Sequence, residues 1–228
     1  MPDPNTVFAR ASHGRLTTHD LGRFAGDSLF DGIARAVCAA GCLPRKELYE
    51  AWEVARRVRR LCRGGRVVDL GGGHGLLAHV LLLLDDTSPG ALVVDPSLPP
   101  SHQRLQQAFV AAWPRLAGRV TFVECGIEAV TATAGDLIVS CHGCGRLTDA
   151  ALDLAVGGRA RVAVLPCCHD HVHCDTGELA GWMPPDLAID ATRAARLRQQ
   201  GYRIWTKTIP ADVTPRNRLL IGAPVATA

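Results

Sequence analysis

The feature that most constrains the fold of this chain is a short hydrophobic strand that runs into a glycine-rich loop and then into a helix. Residues 67–75 read V-V-D-L-G-G-G-H-G, and an apolar run begins at Leu76. Glycine permits positive φ angles and lets a ligand approach where a Cβ atom would clash. The first turn of the following helix presents unpaired N–H groups to such a ligand. The loop therefore predicts a ligand site built largely from backbone.

From residue 64 onward, β-rich runs alternate with helical segments. Strand runs that alternate with helices of this length specify an α/β fold, a parallel sheet covered on both faces. The predicted strands are 66–70, 91–95, 119–124, 136–140, 161–166, 203–209 and 218–222, and the predicted helices are 76–84, 101–116, 127–133, 148–156 and 186–200. Only residues 210–217 separate the last two strands, which is too short for a crossover helix, so these strands are expected to form an antiparallel hairpin.

The segment before the glycine loop has a different character. Its first 25 residues are polar and irregular, and residues 26–62 have a helical pattern broken near Pro44. In the second helical piece the apolar residues recur at three- and four-residue steps and form one stripe, opposite an arginine-rich face. We therefore predict two parts, an N-terminal helical cap over residues 1–63 and a ligand-binding domain over residues 64–228.

Composition limits the function classes. The chain has 228 residues, of which 47% are hydrophobic and 21% charged, so it can bury a large core and is not expected to be disordered. The net charge of +3 is too mild to indicate nucleic acid by itself. No apolar run approaches a membrane span, and residues 1–5 lack a signal-peptide layout. We expect a cytoplasmic protein that does not interact with membranes and has no evident obligate protein partner.

The spacing within the glycine loop is D-x-G-x-G-x-G, formed by Asp69, Gly71, Gly73 and Gly75. About 20 residues further on, Asp95 ends the second predicted strand, where a carboxylate can bind both hydroxyls of a ribose. A dinucleotide fingerprint would need glycine at position 76, which is leucine. The pattern resembles motif I of the class I S-adenosylmethionine (SAM) methyltransferases. Binding of NAD or another nucleotide, and a glycine turn that only packs helix on strand, remain alternatives.

The resemblance extends over about residues 64–224 and implies a Rossmann-like sheet of seven strands in the order 3-2-1-4-5-7-6 with the last strand antiparallel. It also implies roles for individual residues. Gly71 and Gly73 would contact the methionine part of SAM, Asp69 would organise the loop, and Asp95 would bind the ribose. Glu124 and Glu128 are both candidates to accept a hydrogen bond from the adenine amine. The rest of the expected cofactor site is Gly75, Pro96, Gly126, Ile127 and Ser140.

A second set of candidate residues follows the fourth and fifth predicted strands. Residues 140–145 read S-C-H-G-C-G and residues 166–169 read P-C-C-H. In the strand order of the resembled family these two strands are neighbours, so their ends should meet near the methyl group of SAM. The H-x-C-G and C-C-H segments resemble a methyltransferase group that includes the eukaryotic tRNA 2′-O-methyltransferases of the acceptor stem. The N-terminal zinc-finger pattern of those enzymes is missing here.

This Cys/His set has three interpretations. Thiolates and imidazoles suit zinc or another transition metal, with Cys144, Cys167, Cys168 and His169 as ligands. Alternatively the residues act in catalysis, with His142 or His169 as the base, Cys167 as a covalent nucleophile, and Cys144 beside them. The third interpretation is that the thiols only pack and the histidines only cap loops. Expected substrate contacts are Lys46, Cys168 and Trp182.

These patterns together predict a SAM-dependent methyltransferase that methylates a nucleophilic oxygen, nitrogen or carbon. The expected acceptor is RNA, because of the partial family match and the basic helix before the glycine loop, and a small molecule is the second choice. A metal-binding protein on a methyltransferase scaffold, without turnover, is the alternative from a different class.

Overall fold

The computed structural model describes residues 8–225. Residues 1–5, on which the expected cytoplasmic location partly rests, lie outside this range. Six α-helices are present in that part of the chain: α1 Leu29–Ala40, α2 Arg45–Arg59, α3 Leu76–Leu84, α4 Ser101–Ala112, α5 Arg146–Gly158 and α6 Pro185–Gln199. Seven strands alternate with them: β1 Val67–Leu70, β2 Ala91–Asp95, β3 Val120–Glu124, β4 Leu137–Ser140, β5 Arg161–Val164, β6 Tyr202–Thr208 and β7 Arg218–Pro224.

The strands form one sheet in the order β3-β2-β1-β4-β5-β7-β6. The first five strands pair in parallel, as in the register Asp69↔Val93 and Ser140↔Val164. Strand β7 pairs antiparallel with both β5 and β6. The expected Rossmann-like methyltransferase order and its closing hairpin are therefore confirmed. In this order the carboxyl ends of β1, β2 and β4 meet at one edge, which is where ligands bind in open α/β sheets.

Helices cover both faces of the sheet, as its apolar strands require. On one face, α1 to α4 bury a large apolar cluster that includes Ile33, Val58, Leu81 and Phe109. On the other face, α5 and α6 pack on a smaller cluster that includes Leu152 and Leu197. The sheet is thus a rigid support whose polar loops lie at its edges.

The N-terminal cap consists of helices whose ends the local sequence specifies. The Ser28 hydroxyl accepts the N–H of Asp31 at 3.1 Å and caps α1, and Gly41 ends that helix with a φ of +61°. Both features match the usual preferences of helix ends. Leu48 and Val54 of α2 join the same core as β1 and α3. The proposed division of the chain at residues 63 and 64 remains a prediction.

One predicted helix, at residues 127–133, was wrong. Only a single 3-10 turn forms there, Ile127–Ala129, and Val130 is already extended. The Asp136 carboxylate accepts hydrogen bonds from the N–H of Thr133 at 2.8 Å and from its hydroxyl at 3.1 Å. These local bonds compete with helical ones, as short polar side chains commonly do. The helix predicted over 101–116 ends at Ala112, just before Pro114 starts a 3-10 turn.

Across residues 8–225, none of the helices combines the length and the apolar character that crossing a membrane would require.

Candidate active site

The glycine loop after β1 is fixed to the neighbouring strand. The N–H groups of Gly71 and Gly72 donate to the Val94 carbonyl at 2.8 and 3.3 Å. Gly71, Gly73 and Gly75 have φ angles of +63°, +49° and +81°, where L side chains are strained. A Cβ atom added at Gly73 would have no heavy atom within 4 Å. The backbone at Gly73 is thus open to a ligand.

Gly72 occupies a motif position where any residue type was allowed, and its importance was missed. A Cβ atom there would lie 2.7 Å from Cγ1 of Val93 and 2.8 Å from Cγ of Asp69. Such distances are well inside van der Waals contact, so only glycine fits. The run of three consecutive glycines was the available signal. Gly72 therefore lets the loop pack against β2, whereas Gly73 leaves its outer side free.

Asp95 lies across the open side of this loop. Its carboxylate accepts the N–H of Gly73 at 3.1 Å and the N–H of Ser97 at 3.3 Å. Pro96 is exposed beside it. At the end of β3, Glu124 accepts the N–H of Leu98 at 3.0 Å. The loops after β1 and β2 are thereby connected through a carboxylate that keeps part of its surface in solvent.

Two further residues of the expected cofactor site, Gly126 and Ile127, follow β3 and are half-buried. Strand β3 pairs with β2 in the register Asp95↔Glu124, so these residues lie on the same edge as Asp95. Ser140 is buried at the end of β4, and its hydroxyl donates to the Leu70 carbonyl at 2.8 Å. This bond holds the ends of β1 and β4 together.

Asp69 is 2% exposed, and its Oδ2 atom has no hydrogen-bond partner among the described residues 8–225. Burial raises the pKa of the Asp69 carboxyl to about 7. The negative charge of Asp95 adds to this increase, and a hydrogen bond from the backbone of Ala78 opposes it. An unpartnered buried carboxyl is costly unless a donor or a cation reaches it. Asp69 is thus ready to bind a cationic or donor group of a ligand.

A crevice of about 50 Å³ lies between α2 and the glycine loop, with Asp69, Glu47 and His142 among its lining residues. Burial raises the pKa of Glu47 to about 7. The negative charge of Glu50 adds to this increase, and the positive charge of Lys46 opposes it. The His142 ring is 41% exposed at the mouth of the crevice. Desolvation by the surrounding protein nevertheless lowers the pKa of His142, whereas the negative charge of Glu50 acts to raise it.

Glu50 is a candidate site residue to which the sequence analysis gave no role. It is 2% exposed, its Oε2 atom is 3.5 Å from Nε2 of His142, and its Oε1 atom is 3.4 Å from Nζ of Lys46. Lys46, an expected substrate contact, is therefore engaged with Glu50. The available signal was the spacing of Glu47 and Glu50, since residues three apart lie on one helix face.

Three of the predicted thiols come together at the ends of β4 and β5. The Sγ atom of Cys144 is 3.2 Å from those of Cys167 and Cys168, which are 3.5 Å from each other. Hydrogen bonds from Cys144 and Cys167 lower the pKa of Cys168. The positive charges of Arg216 and Lys46 act in the same direction, and slight burial acts against them. Burial is the first cause that raises the pKa of Cys144 and of Cys167.

The two histidines of the predicted Cys/His set lie away from these thiols. His142 faces Glu50 on α2. The His169 side chain is 1% exposed, its Nε2 atom is 2.8 Å from Asp190 on α6, and its Nδ1 atom is 3.7 Å from Asp186. The structure thus assembles three of the four expected metal ligands. Trp182, an expected substrate contact, is 86% exposed in the loop before α6.

Two adjoining cavities lie beside the carboxyl end of β5. The larger, of about 700 Å³, is walled by apolar residues of β5, β7 and α6 and reaches Pro166, next to Cys167. The smaller, of about 250 Å³, shares Arg57 and Lys207 with it. Arg193, which also lines the larger cavity, is buried and paired with Asp149. We call the remaining cations of the two cavities the basic groove: Arg56, Arg57, Arg60, Lys207 and Arg218. Lys207 and Arg218 had no signal in the sequence, because only the fold brings β6 and β7 beside α2.

Several solved structures with a similar fold are described as methyltransferases. An O-methyltransferase family protein from Burkholderia thailandensis is 19% identical over 95% of this chain and 66% of its own, with a TM-score of 0.52. A putative O-methyltransferase from Nostoc punctiforme is 14% identical over 90% of this chain and 67% of its own, with a TM-score of 0.53. Mitomycin 7-O-methyltransferase is 16% identical over 90% of this chain and 60% of its own, with a TM-score of 0.50.

This chain therefore spans about two thirds of the length of the first two solved structures. No curated protein sequence matches it. A family model described as a methyltransferase domain matches residues 46–175, which include α2, the glycine loop, Asp95 and the three thiols. The chain belongs to this methyltransferase-domain family and has the class I methyltransferase fold.

Proposed function

We propose that this methyltransferase transfers the methyl group of SAM to a nucleophilic atom of RNA, placed at the ends of β4 and β5. The basic groove is the observation that carries the proposal. It adjoins Pro166 at the carboxyl end of β5, and the cations Arg216 and Lys46 act on Cys168 just beyond it. The groove thus reaches towards the expected acceptor site, where Lys46 and Arg216 are themselves ion-paired with Glu50 and Asp186.

The basic groove has more positive than negative charge. Arg56 and Arg57 share one carboxylate, Glu53, and Arg218 pairs with Asp190 at 2.7 Å. Arg60 and Lys207 form no ion pair with any carboxylate of residues 8–225. Five cations against two carboxylates favour a polyanion, because each cation that neutralises a phosphate releases a counterion.

In this proposal SAM lies along the loops after β1, β2 and β3. Asp95 binds the ribose, and the open backbone at Gly73 accommodates the methionine part. The buried Oδ2 atom of Asp69, which has no hydrogen-bond partner within residues 8–225, would receive the α-ammonium group, whose charge suits it. Pro96, Gly126 and Ile127 would enclose the adenine. The support is geometric, because these groups lie on one edge of the sheet and leave an acceptor atom unsatisfied.

His142 is the proposed catalytic base. Bound SAM would supply the methyl carbon to the acceptor atom and would leave as S-adenosylhomocysteine when its carbon–sulfur bond breaks, and the His142 imidazole would take the acceptor proton. Desolvation lowers the pKa of His142, so the ring is neutral and able to accept a proton near pH 7. Glu50, 3.5 Å away, stabilises the imidazolium that forms.

A small-molecule acceptor is the second candidate, and the larger cavity favours it. A volume of about 700 Å³ with apolar walls from Val164, Leu219 and Leu220 falls in the usual range of ligand pockets. Zinc or another transition metal at the three thiols is a separate proposal with independent support. We also propose a cytoplasmic location, because the nine cysteines form no disulfide within residues 8–225 and disulfides are rare in the cytosol.

Methylation with SAM carrying a tritiated methyl group tests the acceptor. Purified protein is incubated with total tRNA, ribosomal RNA or a small-metabolite extract, and RNA binding is measured against salt. Lys207→Gln and Arg60→Gln should each reduce the salt slope by about one and leave SAM binding unchanged. Arg198→Gln, an exposed cation on α6, is the matched control. Label in the metabolite fraction alone would support the small-molecule candidate and reject RNA.

A further inference from the structure

The three thiols at the ends of β4 and β5 form an arrangement that packing alone does not explain. Cys144 and Cys168 are exposed, so they do not serve to fill the core. Their chain segments are fixed to each other, because the N–H of Gly145 donates to the Cys168 carbonyl at 3.2 Å. Gly145 has a φ of +53°, and a Cβ atom there would lie 3.1 Å from Cβ of Asp170.

The spacing of the sulfur atoms suits a metal ion. Around a tetrahedral zinc ion with bonds of about 2.3 Å, thiolate sulfurs lie roughly 3.8 Å apart. The observed separations of 3.2, 3.2 and 3.5 Å need only a small outward movement of each side chain. Sulfur ligands select zinc and Cu⁺ over oxygen-seeking ions such as Mg²⁺.

We propose that Cys144, Cys167 and Cys168 bind one thiophilic metal ion, Zn²⁺ or Cu⁺. Within residues 8–225 no fourth Cys, His, Asp or Glu ligand atom joins the three sulfurs. A zinc ion held there has one coordination position for a water molecule or a substrate atom, as in catalytic zinc sites.

His169 is placed to support this site without binding the metal. It directly follows Cys168, and its Nε2 atom is 2.8 Å from Asp190, which is also bonded to Arg218 at 2.7 Å. The loop that carries two of the thiols is thereby fastened to α6 and β7. This inference does not depend on the acceptor proposed above, because it concerns metal binding alone.

Titration of the full-length protein with Co²⁺ tests the site. The protein is purified without a histidine tag, reduced and kept under nitrogen, since Co²⁺ bound by thiolates gives a charge-transfer band in the near ultraviolet. We expect one equivalent of Co²⁺, displaced by one equivalent of Zn²⁺. Uptake of one Cu⁺ without Co²⁺ or Zn²⁺ binding would assign the site to copper, whereas uptake of none of the three would overturn the proposal.

Single substitutions identify the ligands. Cys144→Ser and Cys168→Ser should each weaken binding by about tenfold or more and reduce the charge-transfer intensity. Cys125→Ser, at a half-buried cysteine outside the thiol set, should leave both unchanged. Equal loss in Cys125→Ser and Cys144→Ser would show that the metal binds elsewhere. If one ligand variant fails to fold, the other variant and the wild-type stoichiometry still decide the question.

Discussion

At the scale of single residues, the glycine loop shows what a motif can and cannot predict. The need for glycine at positions 71, 73 and 75 followed from the pattern, and their positive φ angles agree with it. The need for Gly72 did not, because it arises from the side chain of Val93 on the neighbouring strand. Contacts between distant segments are absent from a local pattern, so the same limit hid Glu50.

Two adjacent substitutions should separate folding from ligand binding in this loop. Gly72→Ala places a methyl group 2.7 Å from Val93 and should destabilise the protein by about 1–3 kcal/mol through overpacking. Gly73→Ala meets no atom within 4 Å, so it should cost only about 1–2 kcal/mol for its positive φ but should obstruct SAM. Urea unfolding and calorimetric SAM titration measure the two effects. Equal SAM affinity in Gly73→Ala and wild type would contradict this assignment.

The raised pKa of Asp69 gives a prediction about pH. Because the carboxyl titrates near 7 in the folded state and near 3.9 in the unfolded chain, the folded state holds the extra proton between these values. The contribution of Asp69 to the free energy of unfolding is therefore full below about pH 4 and is lost as pH rises towards 7.

Asp69→Asn removes this titration. Without SAM, wild type should lose stability relative to Asp69→Asn between pH 5 and pH 7.5, as measured by urea unfolding at both values. Parallel stability profiles for the two proteins would show that Asp69 does not titrate in this range.

At the scale of secondary-structure elements, the sequence predicted the number of strands and their positions along the chain well, because each strand is an apolar run bounded by glycine or polar residues. Side-chain directions at the strand ends were harder to predict. His142 and Cys144 are two residues apart, yet the first faces Glu50 and the second faces Cys167. His142 and Cys144 follow the same strand, but only Cys144 joins the cluster of three thiols.

The packing of α6 on α5 depends on one buried arginine. Arg193 is 2% exposed and donates to Asp149 at 3.0 and 2.6 Å and to the Gly145 carbonyl at 3.0 Å. Arg193→Ala should reduce the free energy of unfolding by about 3 kcal/mol, because it leaves a partly buried carboxylate without its main partner. Arg196→Ala, which breaks a more exposed contact with the same Asp149, should cost less than about 1 kcal/mol. Similar losses in thermal unfolding would refute the buried role.

At the scale of the whole molecule, the fold brings three separate sequence features to one edge of the sheet. The glycine loop, the first turns of α2 with Glu47 and Glu50, and the thiol-bearing ends of β4 and β5 are far apart in sequence. The strand order β2-β1-β4-β5 makes them neighbours. That order could be expected only through the resemblance to a known family, since apolar runs alone do not say which strands pair.

The central claim is that SAM binds between the glycine loop and Asp95, and calorimetric titration tests it most directly. Wild type should bind one SAM, and Ser97→Ala should bind equally well, because the described bond of Ser97 to Asp95 uses its backbone N–H. Asp95→Ala should bind about 10- to 100-fold more weakly, since hydrogen bonds to a charged group are lost. Undiminished SAM affinity in Asp95→Ala, or binding of NAD in preference to SAM, would contradict the account.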